Sequence, residues 1–303
     1  MIAQAKNIQD RILDIKYGRV KEGLKIDVPE IDEYLRYKQG NFNVLIGHAN
    51  VGKTTVIMYL FTIWAIKHKL RFVVWSSENT SQSIVRKIIE FKMGKTINEA
   101  SDELINETIN WCDTYFKIIE VDDLITYKQL LKQAGEIKDA WDYNALLIDP
   151  YNSLSKDIGL LKAVGGHEYD YQVASEFRLF AKKRDVSVFL NAHGVTEALR
   201  RTHVKGHEYE NLPTPLGMAS VEGGGKWANR ADDVICIHRY TGSPSDWMYS
   251  HLHVLKVKEN ETGGRCTPFE EPIRLRMARN NVGFKFLGRD LIHNIKPIEK
   301  LEI

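Results

Sequence analysis

Short apolar runs alternate with longer amphipathic stretches over the first two-thirds of the chain. The runs start at residues 42, 71, 116, 145 and 187 and read FNVLIG, RFVVWSSE, FKIIEV, ALLIDP and SVFLNAH. Such runs predict buried strands, and the stretches between them predict helices at 53–69, 80–93, 98–111, 127–141 and 169–184. Strands joined by crossover helices indicate an α/β fold, with a mostly parallel central sheet and helices on both faces.

The pattern changes after residue 200, where a long polar segment begins. Three further strands, DVICIHR, HLHVLKVK and PIRLRMA, then follow without long helices between them. We expect them to extend the same sheet with antiparallel strands, as part of one domain at 23–303.

The first 22 residues are predicted to form a separate arm. Ile8, Ile12 and Ile15 recur at helical spacing on an otherwise polar helix at 4–17. Docking of this helix on another molecule and folding back onto its own core both fit the pattern.

Composition excludes several classes of protein. With 43% hydrophobic and 27% charged residues the chain resembles ordinary globular proteins, and a net charge of +2 excludes a polybasic binder. Cys112, Cys236 and Cys266 have no metal-ligand spacing, which favours a reducing compartment without disulfides. The chain shows no signal peptide or apolar stretch of membrane-spanning length, so we expect no membrane and a cytoplasmic location.

The stretch GHANVGKTT, at 47–55, predicts a phosphate-binding loop. Gly47, Gly52, Lys53 and Thr54 match the pattern G-x-x-x-x-G-K-[ST] between a strand and a helix. The glycines let backbone N–H groups surround a phosphate, the lysine adds a charge for the β- and γ-phosphates, and the threonine hydroxyl can ligate Mg²⁺. The expected nucleotide contacts are Gly47, His48, Ala49, Asn50, Val51, Gly52, Lys53, Thr54 and Thr55.

Three other predicted strands end in polar side chains. Asp149 ends an apolar strand in the form of a Walker B segment, where its carboxylate can hold Mg²⁺ together with Thr54. Glu78 ends another strand, at the edge of the sheet where α/β ligands bind, and can orient and deprotonate an attacking water. His193 ends a third and can report the presence of a γ-phosphate. A turn-capping aspartate, a surface glutamate and a core histidine are the alternatives.

These motifs occur in the order found in RecA-type ATPases. GHANVGKTT, WSSEN, ALLIDPYNSL and LNAHG together resemble the helicase domain of hexameric replicative helicases: DnaB, the phage primase-helicases and Twinkle. From residue 217, GMASVEGGGKWANRADDVICIHR resembles the family's glycine-containing DNA loop and its next strand. GLKIDVPEIDEYL resembles the segment that leads into the phosphate loop. A histidine at position 193 is similar to the phage and Twinkle branch, whereas DnaB usually has glutamine.

The resemblance spans about residues 23 to 287 and implies a RecA-like P-loop ATPase that uses ATP and Mg²⁺. Lys53 and Thr54 would contact the phosphates and Mg²⁺, Glu78 would be the catalytic base, Asp149 the Walker B acid and His193 the γ-phosphate sensor.

The same resemblance implies a homo-oligomeric ring, expected to be a hexamer. The arm at 1–22 takes the place of the linker helix that packs on the adjacent subunit. Related helicases often carry a primase or helical domain before the core. If the chain is complete, a separate primase or loader is expected as a partner.

The residue that would reach the neighbouring subunit's nucleotide departs from the family pattern. Family members usually carry Lys-x-Arg on a late strand, whereas HVLKVKEN supplies Lys256 and Lys258. Lysine lacks the planar fork of arginine, although Lys-x-Lys is similar to the paired lysines of RecA recombinases. Lys258, Arg265 and Arg239 are therefore the candidates, and two lysines on a solvated strand edge are the alternative.

The segment 196–226 is the predicted contact with single-stranded DNA. A flexible, basic, glycine-containing loop can grip a phosphate backbone, and Lys156 and Lys162 lie in a second loop. Little aromatic interleaving favours sequence-independent binding. The predicted DNA contacts are Arg200, Arg201, Lys205 and Lys226.

The leading functional prediction is an ATP-driven replicative DNA helicase in a bacterial or phage-infected cell. A RecA- or KaiC-like ATPase that forms filaments or remodels DNA without unwinding is the alternative, favoured by Lys256 and Lys258. A small-molecule P-loop kinase is disfavoured by the position of Glu78, the long polar loop and the absence of an evident acceptor-binding lid.

Overall fold

The computed structural model describes residues 5–20, 22–121, 123–278, 280 and 282–294. Within these ranges the strands form a single sheet. The strands are β1 (Phe42–Gly47), β2 (Phe72–Ser76), β3 (Phe116–Ile119), β4 (Ala145–Asp149), β5 (Ser187–His193), β6 (Asp233–His238), β7 (Tyr249–Val257), β8 (Ile273–Met277), β9 (Phe284–Phe286) and β10 (Arg289–Asp290). The helices are α1 (Ala5–Lys16), α2 (Pro29–Asp32), α3 (Lys53–His68), α4 (Ser81–Met93), α5 (Asp102–Tyr115), α6 (Tyr127–Ala140), α7 (Ile158–Arg184) and α8 (Gly225–Arg230).

The strand order is β10-β9-β8-β7-β6-β1-β5-β4-β2-β3. All neighbours from β6 to β3 are parallel, and β7 to β10 continue the sheet with antiparallel pairs. This confirms the predicted parallel sheet with an antiparallel extension. Because β1 lies between β5 and β6, the phosphate loop after β1 emerges between the ends of these two strands, with Gly47 paired to His193.

Helices cover both faces of the sheet, as predicted. Successive side chains of a strand point to opposite faces, so Leu45 packs in a core with α3 and α4 while Val44 and Ile46 pack in a core with α6, α7 and α8. Helix α3 is apolar almost all round because it lies between the sheet and other elements, with Trp64 only 1% exposed.

Two helices begin at other residues than the sequence pattern predicts. Helix α5 starts at Asp102 instead of 98 because the Ser101 hydroxyl caps it, accepting a hydrogen bond from the Leu104 N–H at 3.4 Å. Helix α7 starts at Ile158, capped by Asp157, and is interrupted at Gly165, where φ is 76°. Lys162 therefore lies on a helix and not in a loop.

Helix α1 forms within the predicted arm. Ile8, Ile12 and Ile15 are 49%, 58% and 44% exposed, so the described structure does not fold them back onto the sheet domain. Residue 4, where the helix is predicted to begin, lies outside the described residues. None of the described helices has the length and apolar character needed to cross a membrane.

Candidate nucleotide-binding site

The phosphate loop joins the end of β1 to the start of α3. Its turn needs positive φ at Gly52 (86°) and Asn50 (60°). Gly47 is required for a different reason: a Cβ there would lie 2.3 Å from the Ile237 carbonyl oxygen on β6. Gly52 caps α3 without a side chain, so the first N–H groups of the helix are available to an anion.

The Lys53 side chain lies inside this loop and is 6% exposed. Its ammonium donates hydrogen bonds to the carbonyl oxygens of Gly47 at 3.2 Å and His48 at 2.9 Å. Burial lowers the pKa of Lys53, while the nearby carboxylates of Asp149 and Glu78 raise it. A phosphate in the loop would compete with the two carbonyls for this cation.

Asp149 lies at the end of β4 and is 1% exposed. Its Oδ2 atom accepts hydrogen bonds from the Thr54 hydroxyl at 2.8 Å and the Ser76 hydroxyl at 3.3 Å, and the Asn191 amide donates to Oδ1. Burial raises the pKa of Asp149, and the bonds from Asn191 and Thr54 oppose that shift.

This donor set fits Mg²⁺. A hydroxyl and a carboxylate are hard oxygen ligands, and Mg²⁺ at nucleotide sites is usually held by one or two such groups with water and substrate phosphates. Within the described ranges no group of three or more His, Cys, Asp or Glu side chains is placed to hold a metal alone. The Thr54–Asp149 pair thus fits an ion that arrives with the nucleotide.

His193 connects Lys53 to Glu78. The Lys53 ammonium lies 3.4 Å from His193 Nδ1, and His193 Nε2 lies 3.2 Å from Glu78 Oε1. Because an ammonium can only donate, Nδ1 accepts and Nε2 carries the proton toward Glu78. The side chains of His193 and Glu78 are 25% and 50% exposed, so both stand at the rim and neither is a core residue.

Three residues of this site escaped the sequence reasoning: Ser76 and Asn191 at Asp149, and Asn152. The Asn152 side chain accepts a hydrogen bond from the His193 backbone N–H at 3.2 Å. A polar Asn191 inside the apolar run SVFLNAH, two residues before His193, was the available indication, since the two share one face of the strand.

Lys258 lies at the opposite end of the strands from the phosphate loop. Its neighbour Val257 pairs with Asp233, which pairs with Asn43 near the start of β1. Gly47, at the start of the phosphate loop, is four residues beyond Asn43 on β1, and it therefore lies about 13 Å from Asn43. The Lys258 side chain is 42% exposed, and its Nζ atom lies 3.7 Å from Asp232 Oδ1. The structure does not bring Lys258 to Lys53 within one chain.

The other cations considered for the contact between subunits have partners within the chain. Lys256 is not on a solvated edge, because it donates to the carbonyls of Ala228 at 2.6 Å and Ala231 at 2.8 Å at the end of α8. Arg265 pairs with Glu33. Arg239 follows β6, on the phosphate-loop side of the sheet, and its Nε donates to the Trp247 carbonyl at 2.6 Å.

The predicted DNA segment is folded and not a free loop. An antiparallel bridge joins Thr202 to Pro213, and a parallel bridge joins His203 to Glu210. Arg200 pairs with Glu197 and is 74% exposed. Arg201 and Lys205 are exposed, whereas Lys226 is half-buried at the start of α8.

This segment is tied to the nucleotide site at two places. His48 Nε2 lies 3.1 Å from the Thr214 carbonyl oxygen. Gly194 forms a bridge with Val221, and the Glu222 N–H donates to the His193 carbonyl at 3.2 Å. Movement of the phosphate loop or of the end of β5 would therefore displace the segment.

The strand order, the glycine-rich turn after β1 and the acidic end of β4 define a RecA-like P-loop ATPase fold. No protein-family model and no curated protein matches the sequence. Solved structures do match. The structure titled "ATPase Domain of G40P" aligns with a TM-score of 0.74 and 12% identity, covering 95% of this chain and 100% of the other.

Two further structures support the same fold. One, titled as a DnaB-like replicative helicase with its primase interactions, aligns at TM-score 0.71 and 14% identity over 94% of this chain and 67% of the other. A KaiC-like protein from Pyrococcus horikoshii aligns at TM-score 0.53 and 14% identity, over 88% and 98%. The predicted resemblance to helicase ATPase domains is confirmed at the level of fold.

Proposed function

We propose that this protein is an ATP-driven DNA helicase that works as a ring, most simply a hexamer, on single-stranded DNA. The observation that carries the proposal is that Lys53, Glu78 and His193 meet at the strand ends where a folded segment with exposed arginine and lysine side chains is anchored. That combination would link a nucleotide to a DNA-binding surface, on a fold shared with helicase ATPase domains.

In the proposed hydrolysis step each side chain has one role. Bound Mg²⁺, held by Thr54 and Asp149, would supply charge neutralisation at the phosphates. Lys53 would leave the Gly47 and His48 carbonyls to contact the β- and γ-phosphates. Glu78 would orient the attacking water and take its proton.

His193 would sense the γ-phosphate, since its ring lies between Lys53 and Glu78. A phosphate that draws Lys53 away removes the donor at Nδ1. The hydrogen bond from Nε2 to Glu78 can then change, and the carboxylate becomes free to accept a proton from water. The γ-phosphate and the base would thus be linked through one imidazole.

A ring would complete the site from the neighbouring subunit. Lys258 lies at the other end of the strands from its own nucleotide site, so any contact that it makes with a nucleotide would be with that of another copy of the chain. Arg265 and Arg239 remain the other candidates, each already held by an internal partner. The exposed isoleucines of α1 would pack on the adjacent subunit.

In this proposal the partners are single-stranded DNA, further copies of the chain, and a separate primase or loader. The setting in this proposal is the cytoplasm of a bacterial or phage-infected cell, as for DnaB and the phage primase-helicases.

A DNA-remodelling or filament-forming ATPase is the second candidate. The observations in its favour are the Lys256-x-Lys258 pair in place of Lys-x-Arg and the fold likeness to a KaiC-like protein.

Three measurements distinguish these functions: the ATPase rate with and without single-stranded DNA, unwinding of a forked duplex, and electron microscopy with a non-hydrolysable ATP analogue. Closed rings, DNA-stimulated hydrolysis and unwinding support the helicase. Filaments and stimulation without unwinding support the second candidate. Phosphate transfer to a metabolite, with no response to DNA, would overturn both.

A further inference from the structure

Half of the chain's ten histidines gather between the phosphate loop and the predicted DNA segment. With two tyrosines they form what we call the histidine–tyrosine cluster. Its members are His48, His203, His207, Tyr209, His238, Tyr240 and His251. The sequence pattern alone assigns only His48 a role, as part of the phosphate loop.

The cluster follows from strand alternation. In the sequence HLHVL at the start of β7, Leu252 and Val254 pack in the aliphatic core on one face. His251 therefore points to the other face of the sheet. His238 of β6 pairs with it in register. Residues 201–216, the part of the predicted DNA segment that is called the segment below, cover the side chains of His238 and His251.

Ring contacts run continuously from the phosphate loop to the segment. The His48 ring meets the edge of His238 at 5.7 Å between centroids, and His238 meets Tyr240 at 4.5 Å. The Tyr240 hydroxyl lies 3.0 Å from His203 Nε2. Tyr209 stacks on Tyr240 at 3.6 Å. His203 and Tyr209 belong to the segment, so the Tyr240 side chain joins the segment to the end of β6.

A buried carboxylate fixes the far side of this attachment. Asp246 is 3% exposed, and its Oδ2 atom accepts a hydrogen bond from the Tyr209 hydroxyl at 3.1 Å and lies 2.5 Å from His251 Nε2. Arg274 of β8 pairs with Oδ1. The segment is thus hydrogen-bonded to the connection between β6 and β7, whose Asp246 is held in turn by β7 and β8, and its position is set by polar contacts with defined geometry.

The two ends of the cluster face the two proposed ligands. At one end the His48 carbonyl oxygen accepts a hydrogen bond from the Lys53 ammonium. A bound phosphate would attract this ammonium away from the carbonyl. At the other end Arg201 and Lys205 are exposed on the segment. Packed rings transmit displacement because well-packed interiors deform little.

We propose that the Tyr240–His203 contact positions segment 201–216, with its exposed Arg201 and Lys205, against the phosphate loop, so that nucleotide and DNA each change the response to the other. Tyr240 and His203 are positioning residues in this device. The DNA part of the inference rests on the proposed function, whereas the link between nucleotide and segment does not.

The test compares Tyr240→Phe with Tyr143→Phe. The first removes only the hydroxyl that meets His203 and keeps the ring stacked on Tyr209. The matched control removes a buried hydroxyl that bonds the Ala134 carbonyl at 3.0 Å, in the core away from the segment. ATPase rates are measured without DNA and at saturating single-stranded DNA.

In Tyr240→Phe we expect an unchanged rate without DNA and about a fivefold smaller stimulation by DNA, the size of effect expected for loss of one hydrogen bond. Tyr143→Phe should match wild type. Combining His203→Phe with Tyr240→Phe should add nothing further, because both changes break one contact. Equal stimulation in wild type and Tyr240→Phe, or an equal loss in Tyr143→Phe, would overturn the inference.

Hydrogen exchange separates this inference from the proposed function. Without DNA, a non-hydrolysable ATP analogue should alter amide exchange in 201–216 of wild type, and the change should shrink in Tyr240→Phe. Wild-type ATPase that ignores DNA, together with this exchange result, would reject the helicase and retain the nucleotide-to-segment link. An exchange change of the same size in both proteins would reject the link.

Discussion

The Nε2 atom of His193 lies 3.2 Å from the Oε1 atom of Glu78. The two residues are 115 positions apart, on β5 and just beyond β2, and these strands are not neighbours because β4 lies between them. In this contact the Nε2–H group of His193 donates a hydrogen bond to the Glu78 carboxylate, which is the proposed catalytic base. The base is therefore restrained by the residue proposed to detect the γ-phosphate.

Glu78→Gln should keep nucleotide binding and lose turnover. The amide preserves the size of the side chain but cannot take a proton from water, which predicts a fall in rate of about 10²- to 10⁴-fold. Nucleotide affinity measured by equilibrium binding and turnover measured by phosphate release check the prediction. Glu136→Gln, on the exposed surface of α6, is the control. Full turnover in Glu78→Gln would refute the role of base.

Lys53→Ala and Lys258→Ala should each be inactive alone and active when mixed. Lys53→Ala removes the phosphate-binding cation, and Lys258→Ala removes the cation proposed to act on the neighbouring subunit. In a randomly mixed ring about a quarter of the interfaces join an intact phosphate loop to an intact Lys258, so activity on the order of a quarter of wild type should return.

The control for this mixing experiment is Lys182→Ala, since Lys182 is a second exposed lysine near Asp232. It should be active alone. No recovery on mixing would exclude Lys258, and the same experiment with Arg265→Ala or Arg239→Ala would then identify the residue that acts across the interface.

Lys205→Ala and Arg201→Ala should weaken binding of single-stranded DNA without altering nucleotide affinity. Each removed phosphate contact should reduce the slope of log affinity against log salt by about 0.7. Binding titrations at several salt concentrations measure this slope. Lys132→Ala, an exposed lysine of α6, should leave it unchanged, and an unchanged slope in both segment variants would move the DNA surface elsewhere.

His238 should make the protein less stable in mild acid. Burial, then the neighbouring histidines His48, His253, His251 and His203, lowers its pKa to about 2. Below the unfolded value of about 6.5, the unfolded chain binds a proton that the folded chain does not, so stability is full above pH 6.5 and falls as the pH decreases.

His238→Phe tests this because neither ring nitrogen of His238 has a hydrogen-bond partner among the described residues. Between pH 7.5 and 5.5 the wild type should lose about 1.4 kcal/mol more free energy of unfolding than the variant. Urea titrations at the two pH values measure the difference. Parallel losses in the two proteins would show that His238 is protonated as readily folded as unfolded.

Helix boundaries in this protein depend on local caps that the apolar pattern does not locate. The predicted helix at 98–111 is in fact α5 at Asp102–Tyr115, capped by Ser101, and a separate short 3-10 helix at Ile97–Glu99 precedes it. The predicted loop that holds Lys162 is the start of α7. In both places a local cap, Ser101 or Asp157, sets the first residue of the helix, and the apolar pattern does not show where that cap lies.

By itself the sequence determined the phosphate loop, the parallel strands and the acidic strand ends. These features depend on short-range physics: Gly52 must adopt positive φ, and apolar runs with crossover helices must be buried on both faces. Only the tertiary structure decided that Asn191 and Ser76 flank Asp149, that Lys258 lies at the other end of the strands from its own site, and that Tyr240 holds His203. Such contacts join residues distant along the chain, and they follow from strand order and register, which periodicity does not encode.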